Sequence, residues 1–592
     1  MNNILAGNFL FARFFYCTFI ALLMAFSSCR QEAKTPEPDA DNGGLLLPNN
    51  FRALVVTDSV GRARHIAVND NGDIYVKLTF NPKMDGGGGT VGIRDLNGDG
   101  RADSIVYFGD YKDRGGSAVG VTIHNGYLYT SSVTQVLRNK LTPGELVPKS
   151  KTEVVFNDDT AAIHHWHTTK PLAFDEKGNM YIPFGGPSDA GQNLTLYGPV
   201  GVPNGEGLDP SPELEKHAGV WKFDADKINL TQKDGEKFST GLRSIVGMTY
   251  NPADKTVYAV VNGMDNFHTL FPDKFSAWQG AVLPSETLVK ITESLDYGWP
   301  YAYYDHYQQK NILQPAYGGD GNITGRAEKF DLPVMGFPAH WAPMDILFYQ
   351  GTQFPERYRK GAFIAFHGST DRSPYPQSGY IVCFVPMENG KATGTWEVFA
   401  DGFTGRDTVA TTSEAKYRPM GLAEGPDGSL YISESNKGKI WRVMYKGDKD
   451  SFGEADLADM EKRKSMSYIK DPDEVKDVLN IGSGSEGYKL YSIYCRNCHQ
   501  GNGKGDNNRF PPLAGSEYVL GDKERLIGIL LNGLQGEITV NDTKYDGLMP
   551  QFGHLDDYAL ASVLTFIRTR FKNDASPITP DEVKAVRDKL KK

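Results

Sequence analysis

Between residues 51 and 447 of this 592-residue chain one pattern recurs six times: a short apolar stretch, a polar turn centred on Gly or Asp, then an aromatic-rich strand. The copies begin at His65, Gly120, Leu172, Gly247, Asp345 and Gly421; His65-IAVNDNGDIYV and Gly421-LAEGPDGSLYIS show the pattern plainly. Alternating residues on either side of an Asn/Asp/Gly turn describe a β-hairpin. One hairpin cannot bury its apolar face alone, so six self-similar copies predict a six-bladed β-propeller over 51–447 with one such hairpin per blade. A β-sandwich array is the alternative, but no linker-like break separates the copies. The copies are unevenly spaced, so several blades carry long loops, and loops on a rigid scaffold are where chemistry gathers.

Charge excludes one class of partner. Lys and Arg total 63 against 73 Asp and Glu, a net charge of -10, so the basic surplus that binds phosphate backbones is absent and no nucleic acid is expected. The five cysteines, at 17, 29, 383, 495 and 498, are odd in number and too sparse for a disulfide framework, so each needs its own explanation.

Residues 14–26 form a thirteen-residue apolar run after Arg13, which suits a signal-peptide core and is too short to span a bilayer. It ends in Ser27-Ser28-Cys29, similar to the bacterial lipobox in which the cysteine is diacylated; the alternative is ordinary cleavage that leaves Cys29 an incidental thiol. The expectation is a lipoprotein signal peptide over 1–28, taking Cys17 with it, and a flexible tether over 29–50. Lipid on Cys29 would hold an exported protein on a bacterial membrane, facing the periplasm or cell surface. Cys383 lies inside an apolar strand and reads as a buried inert thiol.

Residues 448–480 are charged and weakly helical and read as a linker. Next comes Cys495-Arg-Asn-Cys498-His499, the C-x-x-C-H pattern of covalent c-type haem attachment, in which one helical turn sends two thiols to the vinyl groups and the histidine to the iron. Zinc would want further Cys or His ligands nearby. Met549 is the only methionine after His499 and is the expected second axial ligand, with His554 its rival. Gly487 and Tyr491 on one helical stretch, an apolar-periodic helix from Leu555 to Phe571, and Pro511-Pro512, whose loop carbonyl would accept the His499 N–H, resemble class I cytochromes c. A small all-α cytochrome c domain is therefore expected over 481–592, giving a multidomain chain.

Asp95-LNGDGRAD places Asp95, Asn97, Asp99, Gly100 and Asp103 on one tight loop, a spacing that suits calcium, although Val106 stands where an EF-hand carries Glu; a metal-free turn is the alternative.

The segments Gly241-LRSIVGM, Glu286-TLVKITESLDYGWP, His340-WAPMDILFY, Phe363-IAFHGSTDR and Arg418-PMGLAEGPDGSLYISESNKGKIWRV resemble the soluble glucose/sorbosone dehydrogenase family, six-bladed propellers that bind pyrroloquinoline quinone. The resemblance implies that His167 is the general base taking the substrate hydroxyl proton. It also implies that Arg243 faces the quinone carbonyls and that Arg418 and Arg372 complete the cationic shell around three quinone carboxylates. His164 and His165 crowd the same segment, so a metal cluster or packed loop competes with the base role, and each arginine has an interblade ion pair as its alternative. Ser244 stands where the family usually has Asn, and Gly186 where glucose-oxidising members have an acid. Together these readings imply an oxidoreductase that oxidises a sugar, aldose or related alcohol by way of the quinone and passes electrons through the fused haem to a downstream acceptor. The alternative is an electron-transfer cytochrome c fused to a non-catalytic, ligand-binding propeller.

Overall fold

Each of the six sequence hairpins folds as the two innermost strands of one blade. The computed structural model describes residues 36–79, 88–111, 118–159, 167–265, 267–372, 375–474, 486–506 and 509–590. The innermost strands, blades 1 to 6, are Ala63–Val68, Val121–His124, Ala173–Phe174, Ile245–Asn251, Pro343–Phe348 and Pro419–Glu424. In blade 1 the register pairs Ile66 with Val76 and Val68 with Ile74, with the polar Asn69–Asp73 turn between them. Neighbouring innermost strands pack around a central channel, and each blade adds two or more antiparallel strands outward.

The ring closes through its ends. Phe51–Thr57 pairs antiparallel with Ile440–Tyr445, so the first strand of the chain is the outermost strand of blade 6. Phe51 anchors this seam: it is fully buried, with its ring 4.9 Å from Phe354, 5.1 Å from Phe399 and 4.9 Å from Tyr445.

Two segments expected as loose connectors are packed instead. In the tether, Leu45 enters the core, Leu46 forms a β-bridge with Asp401 of blade 5, and Trp441 Nε1 donates to the Gly43 carbonyl. The apolar Leu45-Leu46-Leu47 triplet, too short to show a period, drives this. In the linker, the helix Glu454–Lys462 and the turn after it bury Met460, Tyr468 and Ile469 in the same core as blade 5, and Arg463 pairs with the fully buried Asp401. Both segments therefore strap the propeller seam.

The C-terminal domain is helical, with Glu486–Tyr494, Lys523–Asn532, Asp557–Thr569 and Pro580–Leu590 around one core. The first and third cross as expected, and the contact demands glycine at 487: a Cβ there would lie 2.2 Å from the Ser562 carbonyl oxygen. Tyr491 packs against Phe566 and Phe571 at that crossing. The Cys17 and Cys29 positions lie outside the described residues, and Cys383 is fully buried with its thiol pushed well above the ordinary range by burial.

Phe51→Ala removes the seam's central ring, and the expected outcome is a loss of about 3–5 kcal/mol of stability, read from urea denaturation followed by circular dichroism.

Candidate functional site

The residues that lead into the innermost strands converge at one mouth of the channel, because each chain segment entering a blade from that side must pass the axis. Arg62 and Arg64 come from blade 1, His167 precedes blade 3, Arg243 precedes blade 4, His340 precedes blade 5 and Arg418 precedes blade 6.

His167 and Arg243 are brought together around Asp189. His167 Nδ1 makes a short bond to the Gly186 carbonyl, and a carbonyl only accepts, so Nδ1 carries the proton and Nε2 is left as the basic nitrogen. Nε2 lies 4.0 Å from Asp189. Arg243 is buried and forks between Asp189 and Asp265, the latter at 2.8 Å, and also donates to the Gly263 carbonyl. Burial opposes its charge, yet Asp265 and Asp189 raise its pKa above the ordinary value. Its Nε–H, and the nearby Asn262 Oδ1 and Asp371 Oδ1, are shut off from solvent without a hydrogen-bond partner.

Gly186 is held close by its surroundings: a Cβ at that position would lie 2.6 Å from the Trp299 ring, so an acidic side chain has no room there, and the buried carboxylate of this segment is Asp189. His340 and Asp371 join the group: one set of ligating atoms from His167, Asp189 and Asp265, and another from Asp265, His340 and Asp371, each lie within 4.8 Å of one another. Burial, then Asp265 and Asp189, push the Asp371 carboxyl well above its usual range. Glu286 accepts from the Gly263 and Ala342 amides and is raised by burial to about 7.

Beside this carboxylate group sits a guanidinium group. Arg418 is buried and donates to the His367 and Gly368 carbonyls and to His367 Nδ1. Burial, reinforced by neighbouring arginines, lowers Arg64 to about 9 and Arg418 to about 10, and drives His367 well below its usual value.

Arg372 does not join them. Its guanidinium is fully buried and held by Asp471 and by the Lys470 and Ala339 carbonyls, so it anchors the linker to the propeller, while its charge still reaches His340 at the mouth. The Asp95 loop stands exposed and is closed on its own amides: Asp95 accepts those of Asn97, Gly98 and Gly100, Asp99 that of Arg101, and Asp103 those of Leu96 and Asn97. Among the described residues the converging sets of three ligating side chains are those at the mouth, and Asp95, Asp99 and Asp103 do not form one. His164 and His165 lie outside the described residues.

In the second domain, Cys495, Cys498, His499 and Met549 line one cleft of about 660 Å³ with apolar walls including Phe552 and Leu548. The His499 Nδ1 lies 2.9 Å from the Pro511 carbonyl, which leaves Nε2 for a metal. Burial lowers the His499 pKa, which favours the neutral imidazole that a ligand must be. Met549 faces this cleft and is fixed by a β-bridge to Leu534, whereas His554 sits outside it, between Tyr494 and Tyr197. Two thiols, an oriented imidazole, a thioether and an apolar cleft of this size fit a c-type haem.

The cleft is pressed against the propeller mouth. Arg62 Nη2 is 2.9 Å from Asp506, Tyr197 packs edge-on to His554, and Cys498 lies within the fields of Asp371 and Asp189.

Residues 46–446 match the TrAA12-like family, more than half of the chain. The chain belongs to that family. Residues 482–567 match the family described as cytochrome c oxidase, cbb3-type, subunit III. The TrAA12-like propeller is 22% identical over 293 residues to a pyrroloquinoline quinone-dependent sugar dehydrogenase of Hypocrea jecorina, 42% of this chain and 59% of that protein. The cytochrome domain is 43% identical over 115 residues to cytochrome c-552 of Thermus thermophilus, 18% of this chain and 86% of that protein. A calcium structure of the Trichoderma reesei carbohydrate-active enzyme family AA12 shares the fold, with TM-score 0.53 at 17% identity over 71% of this chain and 100% of that one. The chain spans about half, 51%, of a further relative, an uncharacterized Borreliella burgdorferi protein to which it is 30% identical over 37% of its own length. The fold and the fusion of a quinone-dehydrogenase-like propeller to a cytochrome c domain are thus those expected.

Sequence reasoning missed Asp189, Asp265, Asp371, Arg62, Arg64, Asp506 and Arg509. Asp189, Asp265 and Asp371 follow the second strands of blades 3, 4 and 5, and Arg62 and Arg64 stand at the start of the first strand of blade 1, so their position relative to the six-fold repeat was the available signal.

The Cys495→Ser, Cys498→Ser double variant is expected to lose haem that survives a denaturing gel. Met549→Ala keeps that haem but lowers its midpoint potential in a redox titration, whereas His554→Ala leaves the potential in place.

Proposed function

We propose that this chain is a quinone-dependent dehydrogenase that oxidises a sugar or related alcohol and passes the electrons to its own haem c. The observation that carries the reading is the meeting, at one mouth, of an oriented imidazole, a buried guanidinium group and a haem-binding cysteine. Buried guanidiniums that depress one another's pKa values call for an anion, and a quinone bearing three carboxylates answers that charge. The unpartnered Arg243 Nε–H and Asn262 Oδ1 offer it further polar contacts. When bound, pyrroloquinoline quinone supplies a two-electron acceptor and haem c a one-electron acceptor.

The chain's own residues do the rest. Arg64 and Arg418 hold carboxylate. His167, its Nδ1–H pinned by Gly186, presents Nε2 to a substrate hydroxyl and takes its proton, and Asp189 stabilises the imidazolium that results. Arg243, locked between Asp189 and Asp265, places a fixed positive charge where negative charge develops, at no cost in reorganisation. Cys495, Cys498, His499 and Met549 would hold the haem, and its fusion to the propeller would let electrons leave without a diffusing carrier. A divalent cation such as calcium would find converging ligands in His167, Asp189 and Asp265 or in Asp265, His340 and Asp371 at the mouth. Ser27-Ser28-Cys29 supports a lipid anchor on a bacterial membrane, with the enzyme facing the periplasm or cell surface.

Reconstitution with quinone and calcium, followed by haem reduction on adding aldoses, ketoses and alcohols, tests the reading. His167→Gln should slow sugar-driven haem reduction by about 10²–10⁴-fold at unchanged haem content. A haem that stays oxidised with every substrate offered, or that is reduced equally fast in the variant, would return the propeller to the role of a binding module.

A further inference from the structure

The guanidinium group at the mouth is not built by the propeller alone. Asp506, on the loop after the haem-binding histidine, bridges the domains: one oxygen lies 2.9 Å from Arg62 of blade 1 and the other 3.2 Å from Arg509 of its own loop. Arg509 in turn lies within the fields of Arg64, Arg418 and His367, and it also lines the haem cleft. Asp506 thus pairs with Arg62 and Arg509 and lies within the fields of Arg418 and Arg64, and Arg509, Arg62 and Arg418 lower its pKa to about 2 against the effect of burial. A part-buried space lined by several guanidiniums suits a small ligand carrying two or three carboxylates, and bidentate guanidinium contacts recognise that chemistry best.

We propose that the anion site at the propeller mouth is shared between the domains, with Arg509 of the cytochrome as a binding residue for the tricarboxylate quinone and Asp506 as the strut that fixes Arg509 against Arg62. The proposal rests on the quinone reading of the propeller and adds a residue to it from the other domain. Arg64 and Arg418 grip the ligand from the blade side and Arg509 from the haem side. Ligand binding therefore tightens the contact between the domains and places the ligand against the cleft that holds the haem. Ligand carboxylates brought beside the cleft favour the oxidised haem, so occupancy lowers the haem midpoint potential.

The full-length, haem-loaded protein is titrated with pyrroloquinoline quinone by isothermal calorimetry, and the haem midpoint is measured with and without quinone. Wild type is expected to bind, more weakly as salt rises. Arg509→Gln is expected to bind about tenfold more weakly or worse, the worth of one charge-assisted contact of about 1.4 kcal/mol, and to lose the quinone-induced fall in midpoint. Arg509→Lys recovers part of both, and circular dichroism and the haem spectrum of each variant match wild type. Quinone that fails to bind wild type removes the functional reading itself. Quinone that binds wild type and Arg509→Gln equally overturns the shared site and leaves the function standing. A midpoint altered in quinone-free Arg509→Gln, with quinone affinity unchanged, assigns the guanidinium to a haem propionate and also overturns the shared site.

Discussion

The pairing of Phe51–Thr57 with Ile440–Tyr445 is the contact on which the rest of this molecule depends. It brings together strands from opposite ends of the propeller sequence, and the entropy of closing so long a loop must be met by what the seam buries. Phe51 meets that cost with an aromatic cluster drawn from blades 5 and 6, and the Leu45 and Met460–Ile469 segments cover it from outside. Only in the closed ring do Arg64, His167, Arg243, His340 and Arg418, each at the entry to a different blade, face a common axis.

That convergence costs stability. Asp189 and Asp265 share the Arg243 guanidinium, Asp371 lies within their fields, and Glu286 is raised to about 7 by its burial close by. On the other side, Arg64 and Arg418 are depressed by burial and by like charges. Charges placed this way do not serve folding, because buried ions recover their desolvation energy only with full pairing. Perturbed groups of opposite sign gathered at one channel mouth mark a functional site and not a folding one. The aromatic and aliphatic core of the blades offsets the cost.

The linker explains how a cytochrome can be held at that mouth. Arg372, expected in the cofactor shell, instead grips Asp471 and Lys470, and Trp278 donates to the Pro472 carbonyl, so the chain leaves the propeller from a fixed point. Asp506 then pins the haem-motif loop to Arg62. Two weak, exposed ion pairs would contribute little; here one partner in each is largely buried, which raises the worth of the contact.

Much of this was legible in the residues. The repeat announced six hairpins because side-chain alternation and turn chemistry are local, and Cys495, Cys498, His499 and the Pro511 carbonyl could be assigned because haem attachment is written in a span of a few residues. His167 and Arg243 were found through resemblance, and their meeting follows from blade geometry. The fate of Arg372, the packing of Leu45 and the closing of the Asp95 loop on its own amides were not legible, since each depends on partners remote in sequence or on backbone amides. By itself the sequence determined the blades, the haem motif and the net acidity, all set by short-range pattern. Only the tertiary structure decided which charges share the channel mouth and that the cytochrome's Asp506 and Arg509 stand among them, because Coulomb interactions depend on distance in space and not on distance along the chain.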